Sequence, residues 1–278
     1  MKVKELQYSD YGLLDEISEI EKKTMGNYTY VETAWNYFWN TPGSFLCVYN
    51  DENKMVGIAH LAILPDNSGW FEALRVLPEY QNQGAGKALY EKAIELCKEK
   101  YHCVSLSMYT GRKNVRSSGL AEKYGLVNVY DFSEYNYAVT EKKNNLGFHY
   151  VDWKRATQLA LPLKEQYGDF VSVNRTWYRI NEANIRMMAD KAYFYENDNG
   201  DFVCVGTRFQ HGAKLFVLML GGHYQNGLDF VVNLAYEKNI PLVTCTFTAS
   251  NSKLDNALRE YGFDYLGEMI TRERVFDI

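Results

Sequence analysis

The stretch that most constrains this chain is Leu74-Arg75-Val76-Leu77-Pro78-Glu79-Tyr80-Gln81-Asn82-Gln83-Gly84-Ala85-Gly86-Lys87-Ala88-Leu89. An apolar, strand-like run stops at Pro78, a tight turn follows, and a helical pattern begins near Gly86. Glycines at 84 and 86 permit positive φ and leave no Cβ between backbone and ligand. The N–H groups from Gln83 to Lys87 can then converge at a helix N-terminus, where the dipole favours anions. The stretch reads as a diphosphate-binding turn. A dinucleotide fingerprint needs a further glycine where Leu89 stands. A Walker loop needs glycine in place of Gln81, and Ser or Thr in place of Ala88.

The pattern that does fit is Gln81-x-x-Gly84-x-Gly86 behind a strand carrying Val76, Pro78 and Tyr80. It resembles the acetyl-CoA loop of the GNAT N-acetyltransferases. The surrounding order agrees. An opening strand at Val3–Tyr8 precedes a helix with Leu13, Leu14, Ile17 and Ile20 on one face, then an aromatic segment with Tyr28, Tyr30, Trp35, Tyr37, Phe38 and Trp39. Runs at Phe45–Tyr49 and Met55–Ile63 flank a polar turn, and Gly69–Leu77 leads into the loop. A helix, a strand at Val104–Tyr109, a helix from Asn114 to Tyr124-Gly125 and strands over Val127–Val139 follow. The resemblance covers residues 1 to about 140. It implies an α/β (α+β) GNAT fold: a mixed, mostly antiparallel twisted sheet flanked by helices.

Residues 140–147 are polar and patternless, a linker, and beyond them the chain echoes itself. Phe194–Gly200 resembles Val48–Lys54, Tyr224-Gln225-Asn226-Gly227 resembles Tyr80-Gln81-Asn82 with Gly86, and Asn251 to Tyr261-Gly262 keeps the spacing of Asn114 to Tyr124-Gly125. Three echoes in the same order indicate a duplicated domain. Two tandem domains are expected, 1–140 for acetyl-CoA and catalysis and 148–278 as a degenerate GNAT-like copy covering an acceptor cleft or mediating dimerisation. The second copy lacks a counterpart of Gln83-Gly84-Ala85, so it is expected not to bind coenzyme A.

Net charge of −5 argues against a nucleic-acid scaffold, which needs a basic surface. No apolar run is long enough to span a membrane, and the N-terminus lacks the apolar core of a signal peptide. The five cysteines form no Cys-x-x-Cys pair and sit in apolar patterns, as buried free thiols of a cytoplasmic protein do. The five histidines show no metal-ligand spacing and no recognisable pairing motif, and no metal is expected.

The resemblance places acetyl-CoA on Leu74, Val76, Gln81, Asn82, Gln83, Gly84, Ala85, Gly86, Lys87, Asn114 and Ser117. In the family a strand N–H near Leu74 or Val76 polarises the thioester carbonyl, as an oxyanion donor does. Acetyl transfer to an amine also needs a base, because the acceptor starts as an ammonium. Glu72 is the candidate: a carboxylate inside an apolar run, on the same face as Leu74 and Val76 if alternation holds. A salt-bridged Glu at the sheet edge is the plainer reading of the same residue. The family's acid is a tyrosine seven residues after the helix-starting asparagine, and here that position is Ala121. The expected activity is transfer of acetyl from acetyl-CoA to a primary amine, small-molecule or peptide, by direct attack on the thioester. The alternatives are a regulatory protein that binds acyl-CoA without turnover, or transfer of another acyl group. The acidic balance favours a cationic acceptor.

Overall fold

The computed structural model describes residues 1–26, 29–144 and 146–277; Tyr28 of the aromatic segment and Asn145 of the expected linker lie outside them. In chain order the elements are β1 (Lys2–Glu5), α1 (Leu14–Met25), α2 (Val31–Asn40), β2 (Gly43–Tyr49), β3 (Met55–Ile63), β4 (Ser68–Val76), α3 (Ala85–Glu95), β5 (Ser105–Gly111), α4 (Val115–Lys123) and β6 (Val127–Ala138). They continue with β7 (His149–Tyr150), α5 (Trp153–Ala160), β8 (Phe170–Val173), β9 (Thr176–Arg179), α6 (Glu182–Asp190) and β10 (Phe194–Glu196). Then come β11 (Phe202–Gly206), β12 (Leu215–Gly221), α7 (Tyr224–Glu237), β13 (Leu242–Thr248), α8 (Ser252–Tyr261) and β14 (Asp264–Val275).

The chain forms two compact units: Met1–Met108 with Asn114–Asn128 and Arg272–Ile278, and Tyr109–Lys113 with Val129–Thr271. These limits differ from a cut at the linker, because each unit includes a strand segment from the other half of the sequence. In the second unit β13 pairs antiparallel with β6, from Leu242↔Ala138 to Thr248↔Phe132. In the first, the end of β14 lies beside β5: Phe276 N donates to Val104 O at 3.0 Å and Ser107 Oγ to Glu273 Oε1 at 3.1 Å. Side-chain alternation sets which face a strand buries but not which neighbour it chooses, so this exchange leaves no local signal.

Within the first unit β1, β2, β3 and β4 pair antiparallel in succession, and β4 runs parallel to β5 from Ser68↔Ser105 to Trp70↔Ser107. One sheet face carries Leu46, Ala59, Leu61 and Phe71, buried with Leu89, Tyr90 and Ala93 of α3. On the opposite face Trp35 and Phe38 of α2 meet Phe45 at ring separations of 5.1 and 5.9 Å. Ile17 and Ile20, at helical spacing on α1, are buried as their periodicity predicts. The second unit repeats the pairing: β10, β11 and β12 antiparallel, then β12 parallel to β13.

The echoes occupy matching structure. Asn50 Oδ1 accepts the N–H groups of Glu52 and Lys54, and Asn197 Oδ1 those of Asn199 and Asp201. The equivalence is therefore Asn50 with Asn197, one residue away from the alignment expected from the sequence. Asn114 and Asn251 cap α4 and α8 with nearly identical backbones, φ −84 and −82 with ψ 74 in both. Tyr224, by contrast, is the first helical residue of α7, whereas Tyr80 lies in the turn before α3, so that echo is not positional.

Candidate active site

Between the end of β4 and the start of α3 the chain makes a single-turn 3-10 helix at Pro78–Tyr80 and then the glycine loop. Gly84 is the N-cap of α3 with φ +94, and a Cβ there would meet nothing within 4 Å. Its glycine is demanded by the left-handed backbone, and the space beside it is open. Gly86 differs: a Cβ there would lie 3.1 Å from Leu120 Cδ2, so glycine lets α3 approach α4. Ala85, Gly86 and Lys87 belong to the first turn, whose N–H groups have no intrahelical acceptors, and Asn82, Gln83 and Gly84 form an exposed rim. Gln81 and Gln83 hold the loop itself. Gln81 Nε2 donates to Val76 O at 3.0 Å and Gln83 Nε2 to Glu79 O at 2.7 Å.

Arg116, which sequence reasoning did not single out, donates to Gln81 Oε1 and brings a second cation to a loop that already carries Lys87. Asn114 Oδ1 accepts the Ser117 N–H at 3.1 Å, so both residues serve the start of α4. An open helix N-terminus, a Cβ-free approach at Gly84 and two cations suit the diphosphate of coenzyme A. Leu74 and Val76 pack against the α3-side core.

Glu72 departs from its expected face. His60 pairs with Glu72 and Ile58 with Arg75, so two residues of β4, Ala73 and Leu74, oppose Ala59 alone. Ala73 absorbs the extra residue with φ +53, a left-handed conformation that costs about 1 kcal/mol in a non-glycine residue. This β-bulge reverses the alternation. Glu72 and Arg75 share the α1/α2 face, while Leu74 and Val76 turn to α3. Nothing in the sequence marks the bulge, since alanine is not a residue that favours positive φ.

On its face Glu72 Oε1 lies 2.9 Å from His60 Nδ1, with His60 and Glu72 only 1% and 7% exposed. The Phe38 ring covers the imidazole at 4.1 Å. A carboxylate accepting from Nδ1–H directs the other nitrogen, Nε2, to act as the proton acceptor. His60 thus has a buried carboxylate partner that no sequence motif marks. The only sequence signal was two buried-strand polar residues of complementary chemistry, and the cross-strand register that joins them was not readable.

A second buried carboxyl lies on the same side. Glu21 is fully buried, and its Oε2 accepts the N–H groups of Tyr30 and Val31 at 3.0 and 2.8 Å, closing the N-terminus of α2. Burial raises its pKa, and the two N–H donors and the Arg75 charge only partly offset that. At the family tyrosine's position, Ala121 is wholly buried. Tyr124 stacks on Tyr90 with centroids 5.2 Å apart, and its hydroxyl reaches Lys87 O at 3.4 Å. Burial, with Glu91 nearby, pushes the Tyr124 phenol up to about 12.

The corresponding helix start in the second unit is closed from within. Only Gly222 and His223 separate β12 from α7, and the Asp201 carboxylate sits at the helix N-terminus. It accepts from His223 N at 2.7 Å, Asn226 Nδ2 at 2.7 Å and Asn197 Nδ2 at 3.1 Å. Burial alone would raise the Asp201 pKa, but these donors outweigh it and hold it below the usual carboxylate range. An internal anion thus lies where the first unit leaves its N–H groups open.

The first unit thus combines a bulged β4, a parallel β5 and a glycine loop at the start of α3. Residues 14–126 match the model of the acetyltransferase (GNAT) family. Over 113 residues, 41% of this chain and 74% of the relative, it is 26% identical to a Bacillus subtilis (strain 168) protein provisionally named a [ribosomal protein bS18]-alanine N-acetyltransferase. Among solved structures, a tandem GNAT protein from the clavulanic acid biosynthesis pathway aligns over 99% of this chain and 98% of its own, with TM-score 0.64 and 14% identity. A GCN5-related N-acetyltransferase from Sphaerobacter thermophilus aligns over 84% and 82%, with TM-score 0.58 and 14% identity. The fold is the GNAT fold.

Proposed function

We propose that the first unit transfers the acetyl group of acetyl-CoA to a primary amine, which attacks the thioester directly. When bound, acetyl-CoA supplies the activated acyl group. Asn82 to Lys87, with Arg116, hold its diphosphate against the start of α3. The backbone of Leu74 and Val76 runs beside the pantetheine arm, and the bulge at Ala73 turns strand N–H groups towards the thioester oxygen. Glu72 and His60 act as a pair. His60, buried under Phe38, receives the ammonium proton through water, and the Glu72 carboxylate stabilises the resulting imidazolium. The thiol is a fair leaving group with a pKa near 8.5, so protonation by water replaces the missing tyrosine at modest loss. The observation that carries this reading is the His60–Glu72 hydrogen bond on a bulged β4, in the same unit as the open loop.

The second unit, with Asp201 at its helix start, is proposed to bind no coenzyme A. The buried Ala121 favours one other reading, a protein that binds acyl-CoA without turning it over. An amine panel with acetyl-CoA, followed by release of free thiol, separates the two. Release that depends on the amine supports the enzyme; tight binding with no release across the panel supports the sensor.

A further inference from the structure

The bulge at Ala73 also sets Arg75 beside a carboxylate that α1 has buried. Ile58 pairs with Arg75 and His60 with Glu72, so Arg75 is the next side chain of β4 on the face of the His60–Glu72 pair. Its Nη1 donates to Leu74 O at 3.0 Å, and its Nε is buried with no hydrogen-bond partner among the described residues. Glu21 is the matching half. It is fully buried, its Oε1 is equally without a partner among the described residues, and the charge that acts on it is that of Arg75. A buried donor and a buried acceptor of opposite charge are thus unmet on one pair of side chains, and each is costly to leave so.

Capping alone does not account for a charge at position 21. Glu21 Oε2 accepts the N–H groups of Tyr30 and Val31 at 3.0 and 2.8 Å, and a glutamine oxygen would accept both as well. What only a carboxylate adds is compensation of Arg75. The pair stands where three elements meet: α1 carries Glu21, α2 starts on its carboxylate, and β4 carries Arg75. From there a run of rings leads to the proposed base. The Tyr30 ring lies 5.9 Å from Arg75 Cζ and 6.4 Å from Phe38, and Phe38 lies 4.1 Å from the His60 imidazole.

We propose that Arg75 and Glu21 are positioning residues: joined through Nε and Oε1, they fasten the start of α2 to β4 and so seat Phe38 over His60. Joining satisfies both unmet atoms at once and leaves Oε2 on the α2 amides. The proposal rests on the acetyltransferase reading above and adds how its proton-accepting pair is held. Neither residue takes part in proton transfer.

The test is a double-mutant cycle in the full-length protein, with Glu21→Gln, Arg75→Met and the two together. Turnover is measured with acetyl-CoA and the most active of spermidine, glucosamine and an alanyl peptide, well below the Tm of every variant. Each single variant leaves one buried charge uncompensated and should melt lower than wild type. The double variant leaves neither, and should regain most of that loss. Activity should not return with it. In all three variants kcat should be about tenfold low, less than the roughly 100-fold of a 1 Å misplacement. Acetyl-CoA affinity, measured by calorimetry, should match the wild type throughout. A kcat within about threefold of wild type in the variants, or one that recovers with Tm in the double variant, overturns the proposal and leaves acetyl transfer standing. Losses of Tm that simply add in the double variant do the same, since the two residues would then not be paired. No acetyl-CoA binding by the wild type, or binding without transfer to any of the amines, overturns the acetyltransferase reading and this proposal with it.

Discussion

Replacing Glu72 by glutamine tests the proton-accepting pair with little disturbance to the fold. The carboxylate accepts from His60 Nδ1 at 2.9 Å, and a glutamine carbonyl of the same shape can accept there too. Removing the acceptor altogether, in Glu72→Ala, leaves a buried Nδ1–H unsatisfied at a cost of about 1–3 kcal/mol. For a protein of this size that is a fall of roughly 2–4 °C in Tm per kcal/mol. Glu72→Gln should therefore melt close to wild type and Glu72→Ala distinctly lower. Activity should not follow stability. A neutral amide cannot stabilise an imidazolium, so both variants should lose about 10²–10⁴-fold in kcat, the range for one general base. The assay is thiol release from acetyl-CoA with a saturating amine, alongside thermal melts of the same preparations. A Glu72→Gln enzyme within threefold of wild-type kcat would refute the assignment, since a base pair that works without its charge is not acting as one.

Two further variants probe the helix starts. Gly84→Ala places a side chain at φ +94 with open space around it, so the loss should be backbone strain alone, about 1 kcal/mol, read as a small fall in Tm. Asp201→Asn removes the internal anion of the second unit and should cost about 1–2 kcal/mol at neutral pH. The folded Asp201 pKa is depressed, so its contribution is complete above the unfolded value near 3.9 and fades as pH falls through the lower folded value. The stability difference between wild type and Asp201→Asn should therefore shrink only below about pH 4. A constant difference down to lower pH would show that Asp201 acts by packing.

Much of this was legible because it is local. The loop from Pro78 to Gly86, the asparagine caps at 114 and 251 and the two asparagine hairpins all declare themselves within a few residues, because capping and turn chemistry act over that range. What escaped was set by register and topology. His60 and Glu72 meet only because β3 and β4 pair in one register, and Arg75 joins them only because Ala73 takes a conformation alanine seldom adopts. The alternation rule, applied without that bulge, put Glu72 on the wrong side of its strand. The return of residues 272–277 to the first unit depends on which strand edge was available, and no pattern within those residues records it.

The central claim is that one unit offers its helix start to coenzyme A while the other has filled its own. Calorimetric titration with acetyl-CoA of the wild type and of a Gly84→Trp, Gly86→Trp variant tests this most directly. One site per chain, lost in the variant, is the expected result. Two sites per chain would contradict the closure by Asp201, and one site that survives both substitutions would contradict the placement of the cofactor at the first loop.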